Sequence, residues 1–276
     1  MRRVKLLELA EATFPEIERK ELYASILCGE LYLNGERLRD PKAVVPADST
    51  VELRRRRFVS RGGEKLAAAI EAWSLPVAGS VWLDAGSSTG GFTDALLQAG
   101  AAHVHAVDVG TNQLAYTLRR DSRVSPLEGI SLFEITSLEP PADYACCDLS
   151  FRSLAGAASH LLTLTRERRL IALLKPQFEL ARRIRDEERL RGVHEHALGQ
   201  EQFDGVVRDE GVLRQVLLET LRLLEERDRA GVVALMESPI RGGEGNREFL
   251  ADLRFLGDKQ SRLTPERIVE QVLPSD

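Results

Sequence analysis

Five short apolar runs, separated by helical patterns, constrain the fold of this chain more than any other feature of its sequence. The runs are Val81–Ala85, His103–Val109, Ala142–Leu149, Leu170–Leu174 and Gly231–Met236. Between them lie helical periodicities at Phe92–Gln98, Leu154–Leu164 and Gly211–Leu224. Strands joined by helices return to the same edge direction, so they pair mostly in parallel, with helices covering both faces. Continuous apolar runs, rather than alternating ones, fit strands buried on both sides. The expectation for residues 65–276 is therefore an α/β, Rossmann-like, doubly wound sheet. The segment 181–202, dense in Arg, Glu and His, reads as a surface excursion from it.

The first 57 residues follow a different pattern. Leu6, Leu7, Leu9 and Ala10 mark one short helix, and Leu22, Ala24, Ile26 and Leu27 a second, with Gly29 placed to end it. Leu31–Leu33 and Val51–Leu53 read as strands, and Asn34-Gly35 is a hairpin turn signal. This predicts a small α+β domain over 1–57. A basic linker (58–64) would join it to the larger domain.

Composition narrows the setting. The chain carries a formal net charge of -5, which disfavours phosphate neutralisation by the chain as a whole. The charge is unevenly spread, however: residues 1–65 hold 14 Lys and Arg against 11 Asp and Glu. Local patches govern docking. No stretch approaches the ~18–20 uncharged apolar residues needed to span a bilayer. Glu8 and Glu11 interrupt the leucines near the N-terminus before a signal-peptide core forms. Cys28, Cys146 and Cys147 make neither a disulfide framework nor a metal-ligand spacing. A soluble protein of the reducing cytoplasm, without membrane or metal, is expected.

The segment Asp84-Ala-Gly-Ser-Ser-Thr-Gly-Gly-Phe-Thr93 is the first candidate site. It follows a strand and opens a helix, and ligands of open α/β sheets bind at the carboxyl ends of the strands. Its G-x-x-x-G-G spacing is neither G-x-G-x-x-G nor a P-loop. Asp84 suits the amino group of a methionine moiety. Asp108, at the next strand end, suits the ribose hydroxyls of an adenosine. Together they suggest S-adenosylmethionine, held by Asp84, Gly86, Ser87, Ser88, Thr89, Gly90, Gly91, Phe92 and Asp108. Ile130 and Ser131, after Pro126-Leu-Glu128, are candidates for the adenine wall, and Asp148 lies on the same rim. A tight βα turn with acidic caps is the alternative reading of the same residues.

Further blocks run nearly end to end. They are Ile26–Gly35, Arg56–Leu66, Asp84–Thr93, Ala106–Gly110, Cys147–Phe151, Leu173–Glu179, Gly205–Asp209, Ser238–Ile240 and Gly245–Phe249. In this order the chain resembles the TlyA-type (hemolysin A family) ribosomal RNA methyltransferases, an S4 RNA-binding domain joined to an FtsJ-like (RrmJ-like) catalytic domain. That resemblance implies ribose 2′-O-methylation by a Lys-Asp-Lys-Glu tetrad, matched here by Lys65, Asp148, Lys175 and Glu248. The chemistry is consistent. A ribose hydroxyl must be held in line with the methyl and lose its proton. A lysine acts as a base only when its pKa is brought down from ~10.4, which a neighbouring ammonium favours.

The resemblance also assigns the N-terminal domain to structured RNA, read by shape and phosphate. Candidate contacts are Arg2, Arg3, Lys5, Arg19, Lys20, Arg37, Arg39 and Lys42. The run Arg54, Arg55, Arg56 and Arg57, followed by Arg61, stands immediately before Lys65. Two departures from the family pattern are Thr111-Asn112, in place of Tyr-Gly, and Glu64, an acid that could pair with Lys65. The implied activity is S-adenosylmethionine-dependent 2′-O-methylation of ribosomal RNA in ribosomal subunits, at a cytidine. An RNA-binding protein of the same fold with little activity is the alternative. A hemolysin would require a membrane-active segment.

Overall fold

The alternating apolar runs do close into one sheet in the computed structural model, which describes residues 2–54, 57–150, 154–190, 203–257 and 263–274. The chain divides into two units, Met1–Arg57 and Phe58–Asp276.

In the first unit, β1 (Arg3–Lys5), α1 (Leu6–Thr13), α2 (Arg19–Cys28), β2 (Leu31–Leu33), β3 (Glu36–Leu38), β4 (Val44–Pro46) and β5 (Val51–Leu53) follow in order. Gly29 ends α2 in a left-handed conformation (φ 69°) that a side chain would resist. Asn34 and Gly35 both take positive φ, the two-residue turn whose twist suits a tight hairpin between β2 and β3. β2 pairs antiparallel with β3 and β5, and β1 with β4. The two helices bury Leu6, Leu7, Ala10, Leu22 and Ile26 with Leu31, Val45 and Val51.

The second unit begins at Phe58. Residues 58–64, expected as a linker, lie in this unit: Phe58 is buried, and Val59 N donates to Asp94 Oδ2 at 2.8 Å. A Cβ on Gly63 would strike the Phe58 side chain at 2.3 Å, which explains a glycine there. There follow α3 (Gly62–Ala72), β6 (Val81–Ala85), α4 (Gly91–Gln98), β7 (His103–Asp108), α5 (Tyr116–Arg119), β8 (Val124–Glu128), β9 (Tyr144–Cys147) and α6 (Ala158–Thr163). β10 (Arg169–Leu174), α7 (Pro176–Leu190), α8 (Glu210–Asp228), β11 (Ala230–Glu237), β12 (Phe249–Phe255) and α9 (Pro265–Val272) complete it.

The seven strands lie in the order β11-β12-β10-β9-β6-β7-β8. Those from β6 to β10 are parallel, and β12 inserts antiparallel between β10 and β11. The order reverses on either side of β6, so the switch point of the sheet lies at the carboxyl ends of β6 and β9. Two strands escaped the apolar pattern. β8 contains Pro126, tolerated because the strand is at an edge. β12 carries Asp252, whose carboxylate accepts two hydrogen bonds from the buried Arg169 guanidinium of β10, at 2.8 and 3.0 Å. Part of the expected excursion (181–190) is helical, continuing α7, and 191–202 lies outside the described residues. Among the described residues, no helix is long and apolar enough to cross a membrane.

Candidate active site

The turn from β6 into α4 is shaped by positive φ at Gly86 (81°), Ser88 (47°) and Gly90 (94°). The Gly86 and Ser87 N–H groups donate to Val107 O, and Gly90 N–H to Ser87 O, folding the loop back onto β7. A Cβ at Gly86 would lie 2.6 Å from the Asp148 carbonyl, and one at Gly90 would lie 2.3 Å from Leu118. Glycine is therefore demanded at both positions by conformation and by space. Ser87 contributes a buried hydroxyl with no hydrogen-bond partner, a donor and acceptor available to a ligand.

Asp84 departs from expectation. Its side chain is fully buried behind the loop and is absent from the walls of both cavities described below. Thr93 Oγ1 donates to Asp84 Oδ2 at 2.6 Å, and the Cys146 thiol approaches Oδ1 at 3.7 Å. Asp84 thus ties β6 to α4 and β9; it does not face a ligand amino group. Burial, reinforced by the nearby Asp148 charge, raises its pKa to about 7. A folded-state value above the unfolded one makes the native state take up the proton first. The resulting stability is complete below the unfolded pKa and is lost as pH rises through 7. Stability is expected to fall by on the order of 1 kcal/mol between pH 6 and 8, and Asp84→Asn should flatten that dependence. Urea denaturation at the two pH values measures both; identical slopes for the two proteins would contradict the assignment.

Asp108 ends β7 and accepts from Ser88 N at 2.8 Å and Gly110 N at 2.7 Å, while remaining on a cavity wall. Glu128, not singled out from the sequence as a site residue, organises the next loop. It accepts from the N–H groups of Asn112, Gln113 and Leu114 and from Arg119. These bonds, led by that from Leu114, hold its carboxyl down at about 2. Its place at the tip of β8, level with Asp108 at the tip of β7, was the available signal. Asn112 (φ 59°) occupies a left-handed position that asparagine tolerates better than most residues.

Two cavities meet over this loop, sharing Gly86, Ser88 and Asp148. The larger, 380 Å³, runs past Asp108, Val109 and Gln113 to Ile130, Ser131, Leu132 and Phe133. The smaller, 220 Å³, is walled by Ser60, Arg61, Gly62, Lys65, Ser87, Thr89, Gly91 and Phe92. The predicted cofactor residues Ser87, Ser88, Thr89, Gly91, Phe92, Asp108, Ile130, Ser131 and Asp148 all line one or both.

The four charged candidates form two pairs. Lys175 Nζ lies 2.5 Å from Asp148 Oδ1 and donates to Ser150 Oγ at 3.2 Å. Lys65 Nζ donates to Glu248 Oε2 in a buried pair joining α3 to the start of β12. Lys65 therefore meets Glu248, not its neighbour Glu64, because consecutive helical residues point in different directions. Asp148, at the tip of β9, and Lys65 both stand on the smaller cavity. Among the described residues, no group of three or more His, Cys, Asp or Glu could hold a metal ion.

Several basic candidates of the first unit have structural tasks. Arg37 donates to the Gly29 and Cys28 carbonyls at the end of α2, and Arg3 to Val44 O. Arg19 pairs with Glu11. Arg54 pairs with Glu52 and stacks over Tyr32 at 4.3 Å. Arg2, Lys5, Lys20, Arg39, Lys42 and Arg57 are exposed, whereas Arg55 and Arg56 lie outside the described residues. Arg61 is exposed and belongs to the second unit, beside Lys65.

A doubly wound sheet with two joined cavities at its switch point, the larger walled by the acidic strand tips Asp108 and Asp148 and the smaller by Lys65 and Asp148, defines a Rossmann-like methyltransferase. Residues 58–255 match the FtsJ-like methyltransferase family, and the chain belongs to that family. It is 37% identical to "Putative rRNA methyltransferase YqxC" of Bacillus subtilis, over 92% of this chain and 87% of that protein. It is 39% identical to the 16S/23S rRNA (cytidine-2'-O)-methyltransferase TlyA of Mycobacterium tuberculosis, over 74% of this chain and 71% of TlyA. Among solved structures, the "Putative hemolysin from Streptococcus thermophilus" superposes with a TM-score of 0.66 at 33% identity, covering 98% of this chain and 96% of that one.

Proposed function

We infer that this protein is an S-adenosylmethionine-dependent 2′-O-methyltransferase of ribosomal RNA, acting on a cytidine ribose. The observation that carries the reading is the Lys175–Asp148 pair, set at adjacent strand tips where the two cavities meet. The larger cavity suits the nucleoside end of the cofactor, with Asp108 toward the ribose and Val109, Ile130, Ser131 and Phe133 around the base. The Ser87 hydroxyl and the glycine backbone suit its amino-acid end. S-adenosylmethionine, when bound, supplies an electrophilic methyl group. The protein must then hold the acceptor hydroxyl in line and take its proton. Lys175 Nζ, fixed by Asp148 and Ser150, orients the 2′-oxygen, and as the neutral amine it takes the hydroxyl proton on its lone pair, becoming an ammonium paired with the Asp148 carboxylate. Lys65, fixed by Glu248, supplies positive charge for the substrate in the smaller cavity. The relatives named for rRNA and cytidine methylation support the acceptor. Arg61 suits RNA phosphate next to the site. In the first unit, which this reading takes as an S4-like RNA-binding domain, Arg2, Arg3, Arg19, Lys20, Arg54 and Arg57 are the residues that suit RNA phosphate.

Labelled methyl transfer to purified ribosomal subunits, followed by digestion to nucleosides, tests this directly. The label should appear in 2′-O-methylcytidine. Label in a base-methylated nucleoside, or cofactor binding with no transfer to any RNA, would overturn the reading.

A further inference from the structure

A third cavity, of 220 Å³, opens beside the first turns of α7, lined by Gln177, Phe178, Ala181, Arg185, Phe203 and Gly205. It is smaller than the ~300–1,000 Å³ of sites for drug-sized ligands, and so suits a single ring. Two walls are phenyl rings, the surfaces on which unstacked RNA bases rest. Gln177 is buried (8% exposed), and its Oε1 has no hydrogen-bond partner. A buried acceptor left unpaired is costly, and a ligand donor would remove that cost. Arg185, exposed at one side, suits a phosphate.

The cavity is built on the segments that carry the catalytic candidates. Lys175 precedes it directly, with Nζ 5.6 Å from the centre of the Phe178 ring. Behind the Gly205 lining, the buried Asn246 holds the 205–207 segment: its amide donates to Gly205 O at 2.8 Å and accepts from Val207 N at 3.0 Å. Asn246 stands two residues before Glu248. One wall is therefore fixed relative to Lys175 and the other to Glu248, as a pocket for part of the acceptor nucleotide requires.

We propose that this cavity receives the base of the acceptor nucleotide, a pyrimidine bearing an exocyclic amino group, which donates to Gln177 Oε1. Cytosine offers that donor, whereas uracil presents an oxygen at the same place. The proposal rests on the ribose-methylation reading and adds how the base is chosen.

The test uses ribosomal RNA transcripts carrying, at the methylated position, either cytidine or the ribonucleoside of pyrimidin-2-one, which lacks the amino group. Wild-type kcat/KM should fall about tenfold on the analogue. Gln177→Leu should fall about tenfold on cytidine and no further on the analogue, with cofactor affinity unchanged and Tm no lower than wild type. Multiplying losses, or a leucine variant as active as wild type, would overturn the proposal. Should the leucine variant fail to fold, Gln177→Glu, isosteric and still an acceptor, carries the test. It should retain the tenfold sensitivity to the analogue, and insensitivity would overturn the pocket assignment. A wild-type protein that methylates no RNA would overturn the underlying reading instead.

Discussion

Replacing Lys175 by alanine lowers the rate of methyl transfer by ~10²–10⁴-fold, the range associated with loss of a positioned proton-transfer group. Among the described residues, the side chain's polar contacts are with Asp148 Oδ1 and Ser150 Oγ, so truncation removes the group without opening the sheet. Lys175 is also absent from the walls of the 380 Å³ cavity, so S-adenosylmethionine should bind the variant within about threefold of wild type. Lys175→Arg is the informative companion. It keeps the charge beside Asp148, but a guanidinium stays protonated and cannot accept a proton. Both variants should therefore fail in single-turnover transfer while titrating normally with cofactor in calorimetry. An arginine variant close to wild-type rate would reduce Lys175 to an electrostatic anchor. An alanine variant at full rate would remove it from the mechanism.

The sheet and the loop were legible because their causes are local. The run Leu170–Leu174 is apolar on both faces, as a central parallel strand must be. Gly86 and Gly90 stand where the backbone turns left-handed and neighbouring atoms approach within the reach of a Cβ, and such positions show in sequence as glycine. β12 was missed for the complementary reason. Asp252 breaks its apolar run, and its partner Arg169 lies 83 residues earlier, so nothing local reveals that the charge is buried in a pair.

The same limit applies within the site. A carboxylate at a strand tip has one appearance in sequence whether it faces the cavity, as Asp108 does, or turns inward, as Asp84 does. What turns Asp84 inward is the Thr93 hydroxyl, nine residues on, together with Cys146 on the adjoining strand. Glu128 was passed over because its partners are backbone N–H groups, which carry no residue signature. The Lys65–Glu248 contact spans 183 residues, and only the family pattern brought the two together before the fold was known.

That contact carries the second large effect. Glu248→Ala leaves Lys65 without its partner in a place where the two side chains are only 11% and 4% exposed. Removing one member of a buried ion pair costs ~3–5 kcal/mol, because the remaining charge is neither solvated nor paired. At ~2–4 °C per kcal/mol for a domain of 150–250 residues, the melting temperature should fall by at least ~6 °C. Gly242→Ala should act in the same direction more weakly, since its Cβ would press on Glu248 Oε1 from 2.6 Å. The double replacement Lys65→Met with Glu248→Leu separates fold from chemistry. Two apolar side chains of similar length fill the site without buried charge, a change that is often neutral or stabilising. Stability should therefore return while methyl transfer does not, because the smaller cavity has lost its fixed ammonium. Thermal unfolding and single-turnover methyl transfer on the same proteins decide between the alternatives. Full activity in the double variant would make the pair purely structural. An unchanged melting temperature in Glu248→Ala would mean that Lys65 reaches solvent, and the pair would no longer account for how Lys65 is held.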